Sequence, residues 1–385
     1  MTSVFIFPAI LLAMALLWLI QGILWNRLWQ KKLSVRISFH QTCAVEGDLV
    51  SLTEIITNDK FLPLPALHVK FQTRCGLTFL EQGNTRTTDQ NYRSDIFSCM
   101  PWQQIRRTLN IRCDRRGYYR IDQIQLTGYD LLWSGSFVET CPVSTALYVY
   151  PHLIDSAVLD LPLRQLTGEY MASRALNPDP FEFKSIRDYA WGDPIRAVNW
   201  KATARTGDLK VNVFAPTSSL HTVILLDACG YRLWDDPDLK EEAVRLCATL
   251  VDTLTSQGIP TAIQTNGTDC LTGEIPYLEA GAGANHLQAA MELLARLQMT
   301  FQDIQGNESP SMESILSALS EKNSDMDPAY YVLISVNRSD SMYHAFDHLS
   351  HCCPGSQWFV LLRPGETCGF ASDTIFEWEV PYGKT

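Results

Sequence analysis

Residues 221–264 read HTVILLDACGYRLWDDPDLKEEAVRLCATLVDTLTSQGIPTAIQ, and this stretch decides the fold of the C-terminal half. Thr222-Val-Ile-Leu-Leu-Asp227 is apolar almost throughout, the mark of a strand covered on both faces. Over 239–257 the side chains of Leu239, Ala243, Leu246, Cys247, Leu250, Val251 and Leu254 fall on one helical face. Lys240, Glu241 and Arg245 fall outside that face. Gly258-Ile259-Pro260 ends the helix and opens a second strand over about 259–264. The alternation continues, with helices predicted over 286–298 and 311–320 and strands over 330–336, 357–362 and 374–379. Strands alternating with helices predict an α/β domain with a doubly wound parallel sheet over 220–385.

Upstream the period changes. Residues 33–150 alternate every second position in short runs such as Leu33-Ser-Val-Arg-Ile-Ser-Phe39 and Tyr119-Arg-Ile-Asp-Gln-Ile-Gln-Leu126. Turn-forming pieces separate them: Glu46-Gly-Asp48, Asn58-Asp-Lys60 and Arg115-Arg-Gly117. Many short strands at this spacing predict an all-β, sandwich-like domain. Between the two domains, 151–219 reads as a linker. Its part from 161 onward has little regular period and many Pro, Gly and charged residues.

The N-terminus reads differently again. Residues 4–25, VFIFPAILLAMALLWLIQGILW, hold no charge, and Gln21 is the most polar side chain among them. As a helix rising about 1.5 Å per residue, this run matches a hydrocarbon core about 30 Å thick. Trp25 and Trp29 suit an interfacial belt at its end. A cleaved signal peptide would carry basic residues before the run and a small-residue site after it. Here no Lys or Arg precedes the run, and Asn26-Arg-Leu-Trp-Gln-Lys-Lys32 follows. An uncleaved anchor over 1–32 is therefore expected. Arg27, Lys31 and Lys32 orient it with Met1 outside and the soluble body in the cytoplasm.

Composition narrows the function. Of 385 residues, 46% are apolar and 19% charged, with net charge −11, so the body is globular and acidic. Lys and Arg are scattered, which argues against a nucleic-acid partner. Eleven cysteines show no repeated framework, and reduced, mostly buried thiols are expected. His351-Cys352-Cys353 lacks the second half of a zinc site.

The segment 181–214, FEFKSIRDYAWGDPIRAVNWKATARTGDLKVNVF, interleaves charges with aromatic rings. Trp191-Gly-Asp-Pro194 makes a turn, and 196–205 is a candidate helix. Guanidinium groups pair with carboxylates and stack on aromatic faces, so the segment suits either a ligand surface or an interlocked linker. Arg187, Tyr189, Gly192, Asp193, Arg196, Trp200, Lys201, Ala204 and Arg205 together resemble the motif of the family called domain of unknown function 58. Asn199 stands where that motif has an acidic residue. Arg115-Arg-Gly-Tyr-Tyr-Arg120 and Tyr129-Asp-Leu-Leu132 extend the resemblance, which is expected to cover most of the chain.

The resemblance implies a von Willebrand A-like C-terminal domain, a place at the bacterial inner membrane and a MoxR-type AAA+ ATPase as partner. It implies no enzymatic activity and no cofactor. A von Willebrand A domain can hold Mg²⁺ through Asp-x-Ser-x-Ser after its first strand. Here Asp227 is present, but Cys229 and Tyr231 replace the serines, and Ala284 stands where a Thr is wanted. One carboxylate with a soft thiol is a poor Mg²⁺ site. No Walker-type phosphate loop, Gly-x-Ser-x-Gly or His-Glu-x-x-His is present. The expected function is a membrane-anchored scaffold or adaptor. A metal-dependent adhesion-type module is the alternative, and a Cys-dependent hydrolase a weaker one.

Overall fold

The structure is a computed structural model that describes residues 3–80, 85–87, 90–133, 135–155, 159, 167–168, 178–191, 193–216, 221–228, 236–299, 310–322, 329–370 and 372–382. The chain divides into two compact units. One is Met1–His152 with Leu294–Arg296, and the other is Leu153–Leu293 with Leu297–Thr385.

The first unit opens with helix α1 (Ser3–Leu28), of which Ile10–Leu28 is long and apolar enough to cross a membrane. Ten strands follow: β1 (Leu33–Phe39), β2 (Cys43–Val45), β3 (Leu49–Asn58), β4 (Leu64–Arg74) and β5 (Leu77–Phe79) come first. Then come β6 (Thr85–Thr87), β7 (Gln90–Cys99), β8 (Gln103–Cys113), β9 (Gly117–Tyr129) and β10 (Ser136–Tyr150). They form one sheet of order β1-β3-β8-β5 and a second of order β2-β10-β9-β4-β7-β6. The period-two alternation turns one face of each sheet inward. Leu52, Ile56, Leu109 and Ile111 from the first sheet share one core with Leu67, Val69, Ile121 and Leu147 from the second. Buried Arg93 and Asp95 are paired. Arg93 Nε lies 2.6 Å from Asp95, and Arg107 reaches the same carboxylate at 2.9 Å from the other sheet.

The end of α1 corrects the sequence reading. Trp25 and Trp29, expected at a lipid interface, are buried, Trp29 with 5% exposure. Trp29 joins the core of the β unit and stacks on Phe137 with ring centroids 6.2 Å apart. Gly128 makes room for it, since a Cβ there would lie 2.7 Å from the indole. Polar ties hold the same join. Gln21 Nε2 donates to Asp130 at 2.9 Å, the Asp59 amide donates to the Lys32 carbonyl at 3.0 Å, and the Lys60 ammonium donates to the Trp29 carbonyl.

The second unit holds an antiparallel ribbon of β11 (Pro178–Asp188) and β12 (Lys210–Pro216), joined by helix α2 (Trp200–Thr206). Part of the supposedly irregular linker is thus regular. Phe183, Ile186 and Arg187 of β11 are all exposed, so this strand has no single buried face to set a period. The main sheet contains β13 (His221–Leu226), β14 (Thr261–Thr265), β16 (Tyr277–Gly281), β18 (Ala329–Ser335), β19 (Gln357–Leu362) and β20 (Ile375–Glu379), in the order β16-β14-β13-β18-β19-β20. A short pair, β15 (Thr268–Asp269) and β17 (Leu297–Gln298), stands apart.

The main sheet is mixed rather than wholly parallel. β16 runs antiparallel to β14, because the connection from β14 returns directly, without a crossover helix. Its helices are α3 (Pro237–Ser256), α4 (Ala284–Arg296), α5 (Met312–Lys322) and α6 (Asp340–Cys352). Met312, Leu316, Met342 and Phe346 of α5 and α6 pack on Val223, Leu225, Leu333 and Val360. Ile224, Leu226, Val332 and Ile334 alternate to the opposite face of the sheet. Lys240, read as outside the apolar face of α3, is nevertheless buried, as are Val244, Ala248 and Thr255. This helix is covered on more than its single apolar stripe.

No disulfide joins any two of the ten described cysteines. Contrary to expectation, only Cys99, Cys113, Cys247 and Cys368 are buried. Cys43 lies at an outward strand position, Cys75 in a turn and Cys352 at a helix end, where burial is not demanded.

Candidate functional site

The Arg/Trp segment folds around the β11–β12 ribbon. Val198 makes an isolated bridge to Val211, and both are buried. That bridge keeps Val198 extended, so the helix expected over 196–205 starts only at Trp200, after a 3₁₀ turn at Ile195–Ala197. Asn199 caps it. Its Oδ1 accepts from the Ala202 amide at 3.0 Å, and its Nδ2 donates to Asn212 Oδ1 at 2.7 Å. Gly207, at φ 80°, closes the helix in the left-handed conformation that glycine adopts without a steric penalty.

The charged residues of the motif separate into two groups. Arg187 grips Asp193 with both Nη atoms, at 2.7 and 2.6 Å, and Asp193 also accepts from the Ala190 amide at 2.8 Å. The hydrogen bond from Arg187 and that amide hold the Asp193 carboxyl below the usual carboxylate range, and the same bond raises Arg187. Lys210 pairs with Asp188 across the ribbon, which raises the ammonium. Tyr189 contributes its amide to the Leu209 carbonyl at 2.9 Å. These groups clamp the turn.

Arg196, Lys201 and Arg205 are exposed and have no side-chain partner among the described residues. Trp200 is 65% exposed, and Trp191, at 101%, stands fully in solvent. Phe183, Ile186, Ile195 and Leu209, which sequence reading did not single out, are exposed on the same ribbon and its connection. Their mix with charged neighbours hid them, because a period signal reports burial and these positions escape it. Gly192 lies outside the described residues.

Asp227 sits elsewhere in the unit, at the C-terminal end of β13, and is buried. Its Oδ1 accepts from Asn266 Nδ2 at 2.8 Å and its Oδ2 from Ser335 Oγ at 2.6 Å. Asn266 also takes the Ala228 amide on its Oδ1 at 2.7 Å. The carboxylate thus ties together three neighbouring strand ends. Sequence reasoning missed Asn266, whose only signal was the Asn266-Gly267 turn after β14. Cys229 and Tyr231 lie outside the described residues. With both Asp227 oxygens held by side-chain donors and a thiol and a phenol next in sequence, the donor set does not fit Mg²⁺.

Among the buried thiols, burial pushes Cys113 up to about 12, and Asp48 and Asp114 add to the rise. Burial also raises Cys99 and Cys368. Thiols raised in this way are poor nucleophiles at neutral pH.

An N-terminal apolar helix on a β-rich body with mixed sheets defines the class of molecule. Within it, the family described as "Protein of unknown function DUF58" matches residues 185–325, from the middle of β11 past α5. The match covers a little over a third of the chain rather than most of it. No curated protein matches the chain. Solved structures similar to part of it include a non-cellulosomal cohesin from the archaeon Archaeoglobus fulgidus, at 13% identity and TM-score 0.22, covering 30% of this chain and 91% of that one. A CARDB domain from Pyrococcus furiosus in complex with di-metal ions is similar at 16% identity and TM-score 0.20, covering 30% and 90%. The sixth cohesin of Acetivibrio cellulolyticus scaffoldin B, in complex with a dockerin, is similar at 10% identity and TM-score 0.22, covering 30% and 99%.

Proposed function

We propose that the protein is a membrane-anchored scaffold or adaptor at the bacterial inner membrane, with its body in the cytoplasm. In this reading the second unit is a von Willebrand A-like domain, and the exposed Arg/Trp ribbon recruits a MoxR-type AAA+ ATPase that assembles or matures other proteins. The observation that carries the reading is the division within the motif. Arg187, Asp193 and Asn199 are used internally, whereas Arg196, Trp200, Lys201 and Arg205 are left on the surface. Exposed tryptophan and arginine together are the residue types that dominate binding hot spots. The internal clamp supports the reading, because a preordered ribbon loses little freedom on binding.

Crosslinking in intact membranes followed by affinity purification of the full chain tests the partner. The expected result is a MoxR-type AAA+ ATPase recovered with the wild type and lost with Trp200→Ala. Recovery of no AAA+ ATPase, with ATP present or absent, would remove the partner from the account.

A further inference from the structure

Three turns of the first unit expose large apolar side chains beside the end of α1. Phe61, 83% exposed, lies between β3 and β4. Met100 and Trp102 lie between β7 and β8, and Leu131, Leu132 and Trp133 between β9 and β10. Hydrogen bonds tie these turns to one another and to the helix. Buried Asn58 donates from Nδ2 to the Leu62 carbonyl at 3.0 Å and to the Met100 carbonyl at 2.9 Å. The Trp102 amide donates to the Lys60 carbonyl at 3.3 Å, and the Lys60 ammonium reaches the Trp29 carbonyl. In the third turn, Asp130 accepts from Gln21 of α1 at 2.9 Å.

Backbone conformation marks the same end. Among the described residues, the non-glycine positions with positive φ are Lys32 at 53°, Trp102 at 56° and Trp133 at 55°. A bulky aromatic is the least suited residue for that region, where Gly or Asn would sit without strain. Both tryptophans are nevertheless turned outward, and Trp133, stacked on Tyr129 with centroids 4.9 Å apart, remains 61% exposed. Packing within the unit leaves both rings more than half exposed.

Helix length supplies an independent argument. With Gln21 held against the β unit, the part of α1 clear of it is 3–20, which spans about 27 Å. A hydrocarbon core is about 30 Å thick. A helix of that length crosses with least mismatch if the turns at the level of Gln21 enter the edge of the apolar layer. The outer face of α1 agrees, since Ile23 and Leu24 are exposed there and the exposed cations Arg27, Lys31 and Lys32 follow. Phe61-Leu-Pro63, Met100-Pro-Trp102 and Leu131-Leu-Trp133 carry no charge, which suits lipid rather than an ionic protein partner.

We infer that Phe61, Met100, Trp102, Leu131, Leu132 and Trp133 form a collar that inserts at the boundary between lipid headgroups and acyl chains, beside α1. The bilayer itself is the ligand. The inference rests on reading α1 as a membrane anchor. Tryptophan suits this depth because its ring is apolar while its N–H finds water or a headgroup. Two attachments, the helix and the collar, then restrict the tilt of the β unit on the membrane.

Photo-crosslinking tests the collar in the full chain, reconstituted in vesicles of phosphatidylcholine and phosphatidylglycerol. A p-benzoylphenylalanine is placed at Leu17 on the helix, at Phe61 and Leu132 in the collar, and at Leu49, exposed at the far end of β3 from Asn58. The expected result is lipid adducts at Leu17, Phe61 and Leu132 and none at Leu49. Adducts at Leu17 alone, or crosslinks from Leu132 to protein only, would overturn the collar and leave the anchor standing. Absence of adducts at Leu17 would overturn both.

Discussion

Lys60 is a buried ammonium whose donor role fixes the end of α1, and its environment has a measurable consequence. Burial lowers its pKa from 10.5 to about 8, with Cys99 acting in the opposite direction. Between those two values the unfolded chain holds a proton that the folded chain has released. Stability contributed by this group therefore rises with pH from about 8 to 10.5 and is absent below that window. The full effect is at most about 3 kcal/mol. Lys60→Met removes it, so the Tm of the wild type minus that of the variant should rise steadily across the window. A difference independent of pH would contradict the assignment. Little of this was legible in the sequence, where Asn58-Asp-Lys60 reads only as a turn. The motif was more legible. Arg187 and Asp193 advertise pairing by charge and spacing, but nothing in the sequence separates Arg187 from Arg196 and Arg205, which carry the same charge and find no such partner among the described residues.

Helices and strands with one dominant period were legible nearly to the residue. β19 occupies the expected 357–362, and α3 starts two residues early, where Pro237 suits a first helical turn. Misreadings fall where a tertiary contact overrides the local pattern. α2 starts late because Val198 bridges Val211. The end of α1 is drawn into the β unit because Gly128 admits the Trp29 ring, a contact between positions far apart in sequence. That contact can be tested by Gly128→Ala. The added methyl meets the indole and should lower stability by about 1–3 kcal/mol, the usual range for overpacking. In a Trp29→Ala background the same substitution should cost much less. Equal costs in both backgrounds, measured by denaturant unfolding of the full chain in detergent, would show that the two residues are not coupled.

At the scale of the whole molecule, two changes of period separate an apolar helix, a β-rich region and a region of alternating strands and helices, and these divisions could be read from hydrophobic pattern alone. The pattern could not show which surfaces stay uncovered, because exposed aromatic residues and core aromatic residues look alike in sequence. Trp25 and Trp29 are interior, while Trp102, Trp133, Trp191 and Trp200 are on the surface. In the proposal made above, one exposed set meets lipid and the other a protein partner, with the anchor keeping both at the membrane. On that proposal the Arg196, Trp200, Lys201 and Arg205 surface recruits a partner and does not hold the fold. The most direct test compares wild type with an Arg196→Ala, Arg205→Ala double variant. Affinity for a MoxR-type AAA+ ATPase and the melting temperature are both measured on the full chain in lipid nanodiscs. Expected is binding weaker by about tenfold or more, a loss of at least about 1.4 kcal/mol, with an unchanged melting temperature. Unchanged affinity, or a fall in melting temperature that accompanies the loss, would contradict it.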